Sequence, residues 1–155
     1  MDSSDVARQL RELREVSASL RDTEQTRDEV RRRVAELRAV GVSPRELWLA
    51  VGLSEAQASR LASGPESEGD GLPADTAMEL VHLADWGVID HDSFVEWLKK
   101  WPFEPQYRTT GLEDSGEFRD NSFDAADFAF FDHLISEDEM GQIIECAFER
   151  GYLPG

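Results

Sequence analysis

Five polar side chains fall between residues 54 and 60: Ser54, Glu55, Gln57, Ser59 and Arg60. These residue types carry the donor and acceptor patterns that match base edges in a DNA groove. Glutamine pairs with adenine, arginine with guanine, and a carboxylate accepts from cytosine. Ser54 and Ser59 can also hold phosphates. The alternative is a row of solvated polar positions on a structural helix pair. Arg31, Arg32, Arg33, Arg38 and Arg45 flank the same stretch and are candidates for neutralising phosphates. They can equally pair with acids one helical turn away, as in Asp28–Arg32 and Glu29–Arg33.

Other chemistry is thinly represented. His82, His91 and His133 are scattered. The triplet Asp90-His91-Asp92 resembles a metal pair, but it stands where a helix N-terminus is expected, and acids favour that position structurally. It lacks the glycine and distal glutamate of an EF-hand loop. The single cysteine, Cys146, lies among Ile143, Ile144, Ala147 and Phe148 and reads as a small core residue. Neither a Gly-rich phosphate loop nor a Gly-x-Ser-x-Gly elbow occurs. An enzyme is not expected, nor a cofactor or metal site.

The elements that position the polar cluster lie in Gly41–Gly64, "GVSPRELWLAVGLSEAQASRLASG". Ser43, Pro44 and Glu46 form an N-cap, a first-turn proline and a capping partner. Ser54 and Gln57 repeat the capping signal. Gly52 lies between, where a chain leaving a helix needs positive φ. Leu47, Val51, Leu53, Ala58 and Leu61 are spaced to bury a seam between two short helices. Trp48 is expected near Ala58 at their closest approach.

This stretch resembles the helix-turn-helix of bacterial DNA-binding regulators, particularly the resolvase and invertase type. The resemblance covers residues 31–64. It implies that the second helix lies in the major groove of double-stranded DNA and that the protein binds as a homodimer. Trp48 departs from the pattern where alanine is usual, and Ala58 where a β-branched residue is usual. Leu49 is apolar at a position usually polar, so its patch should be covered by the chain or a partner.

The net charge is −17, with 33 acidic and 16 basic residues. Residues 1–64 balance 11 arginines against 11 acids, so the excess lies beyond them. An acidic C-terminal part repels nucleic acid and favours a protein partner. The chain has no membrane-length apolar run and no secretory leader, which leads to the expectation of a cytoplasmic protein without a membrane association.

Residues 4–40 lack glycine and proline and read as helix, with a break near 22–26 and Thr26–Glu29 as the cap of a second helix. Val6, Leu10, Leu13 and Leu20 form an apolar stripe with no obvious partner, which suggests dimerisation. Residues 65–72 read as a linker. Helices are expected over 74–86, 91–101, 124–134 and 137–149, with 103–121 irregular. "WGVIDHDSFVEWL" and "DHLISEDEMGQII" echo each other as helical hairpins.

The expected fold is all-α. Residues 1–64 form an N-terminal helix plus helix-turn-helix head, and residues 73–155 a small acidic helical domain that binds a protein. The arrangement is similar to that of antitoxins, which autoregulate an operon and cover a partner with an acidic domain. The rival reading is an acidic protein-interaction module or DNA mimic in which the helix-turn-helix is structural only.

Overall fold

The computed structural model describes residues 2–18, 24–66, 71–104 and 121–151. They form eight helices: α1 (Ser3–Ala18), α2 (Glu24–Ala39), α3 (Pro44–Ala50), α4 (Glu55–Ser63), α5 (Ala77–Asp85), α6 (His91–Lys100), α7 (Asp124–Phe131) and α8 (Glu137–Glu149). Among the described residues the only β-type pairing is an isolated bridge between Glu104 and Ser122. The fold is all-α.

Side-chain caps set where five helices begin, with Asp2 Oδ1 accepting from Asp5 N at α1 and Thr76 Oγ1 from Glu79 N at α5. Ser43 Oγ accepts from Glu46 N at the start of α3. Ser54 and Gln57 form a reciprocal capping box on α4, and Ser136 and Glu139 do so on α8. Each box satisfies two of the amide donors that a helix start leaves without a partner. Thr26 is not a cap. The second helix begins at Glu24, so Thr26 lies inside its first turn.

Four helices end alike. Beyond α2, α3, α5 and α7, two amides return to carbonyls in the last turn, as Gly52 N to Leu49 O (3.1 Å) and Leu53 N to Trp48 O (3.1 Å). This closure needs a left-handed residue at its pivot. Gly52 supplies it after α3, with φ 108°, and His133 supplies it after α7, with φ 61°. The pivot at His133 ends α7 at Phe131, three residues before the expected end at Leu134.

The chain gathers into two compact units, Met1–Pro73 with Leu83–Asp90, and Ala74–His82 with His91–Gly155. In the first unit α1 packs against α2 and α3, and α3 against α4. Leu13, Val30, Val34, Leu37, Leu47 and Ala58 are buried. The N-terminal helix therefore belongs to the head. Its stripe has an intramolecular partner, with Leu13 fully buried and Val6 and Leu10 half-buried. Leu20 lies outside the described residues.

In the second unit α6 packs against α8, and α8 against α7. The core includes Phe94, Trp97, Leu98, Trp101, Phe123, Ile143 and Ala147. Asn121 Oδ1 accepts from Ala77 N (2.9 Å) and from Trp101 Nε1 (2.8 Å), and so ties the start of α5 to the end of α6. Phe103 and Phe123 stack edge to face with centroids 5.2 Å apart. Residues 105–120, in the stretch expected to be irregular, are outside those described.

Candidate nucleic-acid interface

The α3–Gly52–α4 pair forms from local chemistry. Pro44 fits the first turn of α3 because that turn needs no amide from it. Gly52 pivots the chain and Ser54 caps α4. Leu47 and Ala58 are the fully buried pair on the two helices, while Val51, Leu53 and Leu61 are half-buried. Trp48 is half-buried and its Nε1 donates to Val88 O at 2.6 Å. The large residue at this position is thus tied to the Leu83–Asp90 segment. Leu49 is half-buried beside it in sequence.

The outward positions of α4 are Glu55, Ala56, Ser59, Ala62 and Ser63. Ser59 is exposed and keeps its hydroxyl available. Ser54 and Gln57 are drawn into the helix cap: Ser54 Oγ accepts from Gln57 N (3.1 Å), and Gln57 Oε1 accepts from Ser54 N (2.9 Å). Glu55 is paired with Arg45. That pair joins the starts of α3 and α4 and offsets the one carboxylate on the outward face. Arg60 is half-buried, its guanidinium lying over the backbone of Gly71.

The flanking arginines divide. Arg31 does not face outward freely. It donates to Asp28 Oδ1 at 2.6 Å, to Asp85 O at 3.0 Å, and to the Asp85 carboxylate. Arg27 completes the arrangement with two bonds to Asp85, at 2.9 and 3.1 Å. The Asp85 side chain is 1% exposed. Burial pushes its carboxyl up, but the hydrogen bonds and charges of Arg27 and Arg31 outweigh burial and hold it below the usual carboxylate range. Arg33 pairs with Glu29 (3.0 Å) as expected, and also with Glu12 of α1 (2.9 Å). The expected Asp28–Arg32 pair is replaced by Asp28–Arg31. Arg32 and Arg38 are exposed on α2 and carry no such tie.

Two residues were not singled out by sequence. Asp85 organises Arg27 and Arg31 from more than 50 positions away, a distance at which no sequence spacing gives a signal. Arg14 of α1 places its guanidinium against Gly52, where an added Cβ would lie 1.7 Å from Nη1. It stands at the turn of the helix pair, a position from which a cation can meet a phosphate. Its only sequence signal was the arginine content of α1.

Leu83–Asp90 and residues 65–73 bring acids into the first unit, which holds 11 arginines against 16 acidic residues. The second unit holds 5 basic residues against 17 acidic ones. Both units are acidic.

For metal or acid–base chemistry the arrangement offers little material. His91 Nε2 meets Glu139 Oε2 at 2.7 Å, joining the first turns of α6 and α8. Glu139 accepts from Ser136 N and contacts His91, and these hold its carboxyl below the ordinary value against the effect of burial. Among the described residues no group of three or more His, Cys, Asp or Glu is placed to hold a metal. No helix among them is long and apolar enough to cross a membrane. Comparisons of the chain with protein-family models, with curated proteins and with solved structures give no match.

Proposed function

We propose that the chain is a DNA-binding transcriptional regulator whose first unit meets double-stranded DNA through α4 and whose second, acidic unit binds a protein. The observation that carries this reading is the α3–Gly52–α4 pair, with both helices capped and the outward face of α4 exposed. Such a helix fits the major groove, with small residues such as Ala56 and Ala62 able to meet thymine methyls and Ser59 able to donate or accept. Arg14, Arg32 and Arg38 are the candidates for phosphate contacts, joined by Arg45 if it leaves Glu55. An exposed pair of that kind is worth ~0–1 kcal/mol and exchanges easily for a phosphate. An antitoxin that autoregulates its operon is the narrower form of the same proposal.

A second reading is supported by a specific observation. Arg31 is engaged by Asp85, Ser54 and Gln57 by their cap, and the first unit is acidic on balance. In that reading the helix pair is scaffolding and the chain works through protein contacts alone. A mobility shift of the full chain on its own upstream duplex, with random duplex as competitor, separates the two. The regulator reading expects preferential, salt-sensitive binding with a shallow slope of about 2–4 phosphates. It also expects Arg60→Ala to reduce sequence discrimination by about 1–3 kcal/mol if the guanidinium leaves Gly71 for a base edge on binding. Equal affinity for the upstream and random duplexes leaves the protein-interaction reading in its place. Gln57→Ala is a poorer test, because it also removes a helix cap.

A further inference from the structure

Helix α8 has one face that is exposed among the described residues. Gly141, Ile144 and Phe148 are exposed at i, i+3 and i+7, so they line one side of the helix. Ile144 is 42% and Phe148 56% exposed. The adjoining side, with Met140, Ile143 and Ala147, is buried.

Gly141 adds a separate observation. It lies inside α8, where glycine is unfavourable compared with alanine. It has no positive φ to explain it, and an added Cβ would meet nothing within 4 Å. Among the described residues nothing in the packing requires glycine there. A glycine beside exposed apolar side chains leaves a notch that lets another backbone approach closely.

The rim of the face is acidic. Glu137, Asp138, Glu145 and Glu149 are all exposed on α8. A second copy docking symmetrically would bring these carboxylates against their own equivalents. A basic partner would meet them with opposite charge.

Resting on the reading that the acidic unit binds a protein, we infer that the Gly141–Ile144–Phe148 face of α8 is the docking site, and that its occupant is a basic amphipathic helix of a partner protein. The partner's apolar residues, spaced at i, i+3 or i+4 and i+7, pack on Ile144 and Phe148. Its backbone crosses at Gly141, and its Lys and Arg side chains meet the rim.

The test is fluorescence anisotropy of the full chain with three labelled peptides at moderate salt. One is an amphipathic helix of leucine and lysine, the second is the same composition scrambled, and the third replaces lysine with glutamate. The inference expects the first to bind most tightly, and Phe148→Ser and Gly141→Gln each to weaken it at least tenfold. Both substitutions are at exposed positions, and glutamine is the better helix former, so circular dichroism should be unchanged or improved. Glu145→Lys with Glu149→Lys should weaken it as well. If the amphipathic peptide binds but ignores Phe148→Ser and Gly141→Gln, this face is refuted while partner binding elsewhere on the acidic unit survives. If the scrambled peptide binds equally well, attraction is by charge alone and the face is refuted. If no peptide binds, the inference and the partner-binding reading fall together. If sedimentation shows a dimer that Phe148→Ser dissolves, the occupant is a second copy and the inference is overturned. Duplex binding is measured apart from all of these.

Discussion

Asp85 is the buried charge that Arg27 and Arg31 share in the first unit. Its carboxylate is enclosed and takes hydrogen bonds from Arg27 and Arg31. Removing one partner of a buried ion pair leaves the other charge uncompensated, at a cost of about 3–5 kcal/mol. Arg31 remains partly exposed, so Asp85→Ala should fall near the lower end, measured by urea unfolding of the full chain. The pH dependence has a fixed sign. A carboxyl held below its unfolded value stabilises the fold above the ordinary carboxylate range, and that contribution is lost as the pH falls. Asp85→Asn should therefore flatten the acid limb of the stability curve. Asp127 behaves oppositely. Burial, and secondarily Asp124, push its carboxyl up, so its ionised form opposes folding at neutral pH. Asp127→Asn should raise stability at neutral pH and give no gain once the carboxyl of the parent is protonated.

Helix ends explain most of what was legible in the sequence. The caps at Ser43, Ser54 and Ser136 and the pivot at Gly52 depend on neighbours within five residues, so the local pattern was enough to place α3, α4 and α8. The face of α2 with Val30, Val34 and Leu37 was equally plain. What covers a face is not local information. The stripe on α1 signalled a partner, but nothing in its spacing said that α2 and α3 would supply it. The role of Trp48 was hidden for the same reason, since Val88 O lies 40 positions away. Among the site residues, sequence identified outward polar types but not their competing ties, as for Arg31. Two substitutions test the account of the helices. His133→Gly removes a side chain from a left-handed pivot and should stabilise by about 0.5–1 kcal/mol. Gly141→Ala should add a similar ~0.5–1 kcal/mol by helix propensity alone. Both are read from thermal melts. A loss at position 133 would mean that the histidine makes a contact worth more than its backbone strain.

At the scale of the whole molecule, charge and chain path pull on the same question. Neither unit is a single stretch of chain, because α5 begins in one and ends in the other. A fragment ending at Gly64 would leave Arg27 and Arg31 without Asp85 and Trp48 without its acceptor, so it does not report on the head as folded. Duplex binding is best tested in the full chain by altering charge at positions that hold no structure in place. Glu137, Glu145 and Glu149 qualify: all are exposed on α8, whereas Glu139 is excluded by its part in the cap. Their joint replacement by glutamine changes the net charge from −17 to −14 without touching the first unit. Repulsion between an acidic protein and a phosphate backbone extends over a Debye length, ~30 Å at 0.01 M salt and ~3 Å at 1 M. The triple variant should therefore bind random duplex more tightly than the parent at low salt, and the advantage should shrink to nothing as salt rises. Preference for the upstream duplex over random duplex should be unchanged, because uniform repulsion carries no sequence information. Anisotropy titrations across a salt series measure both quantities. A variant that matches the parent at every salt concentration would show that the acidic unit exerts no opposition, and a change in sequence preference would place part of the reading surface on α8 itself.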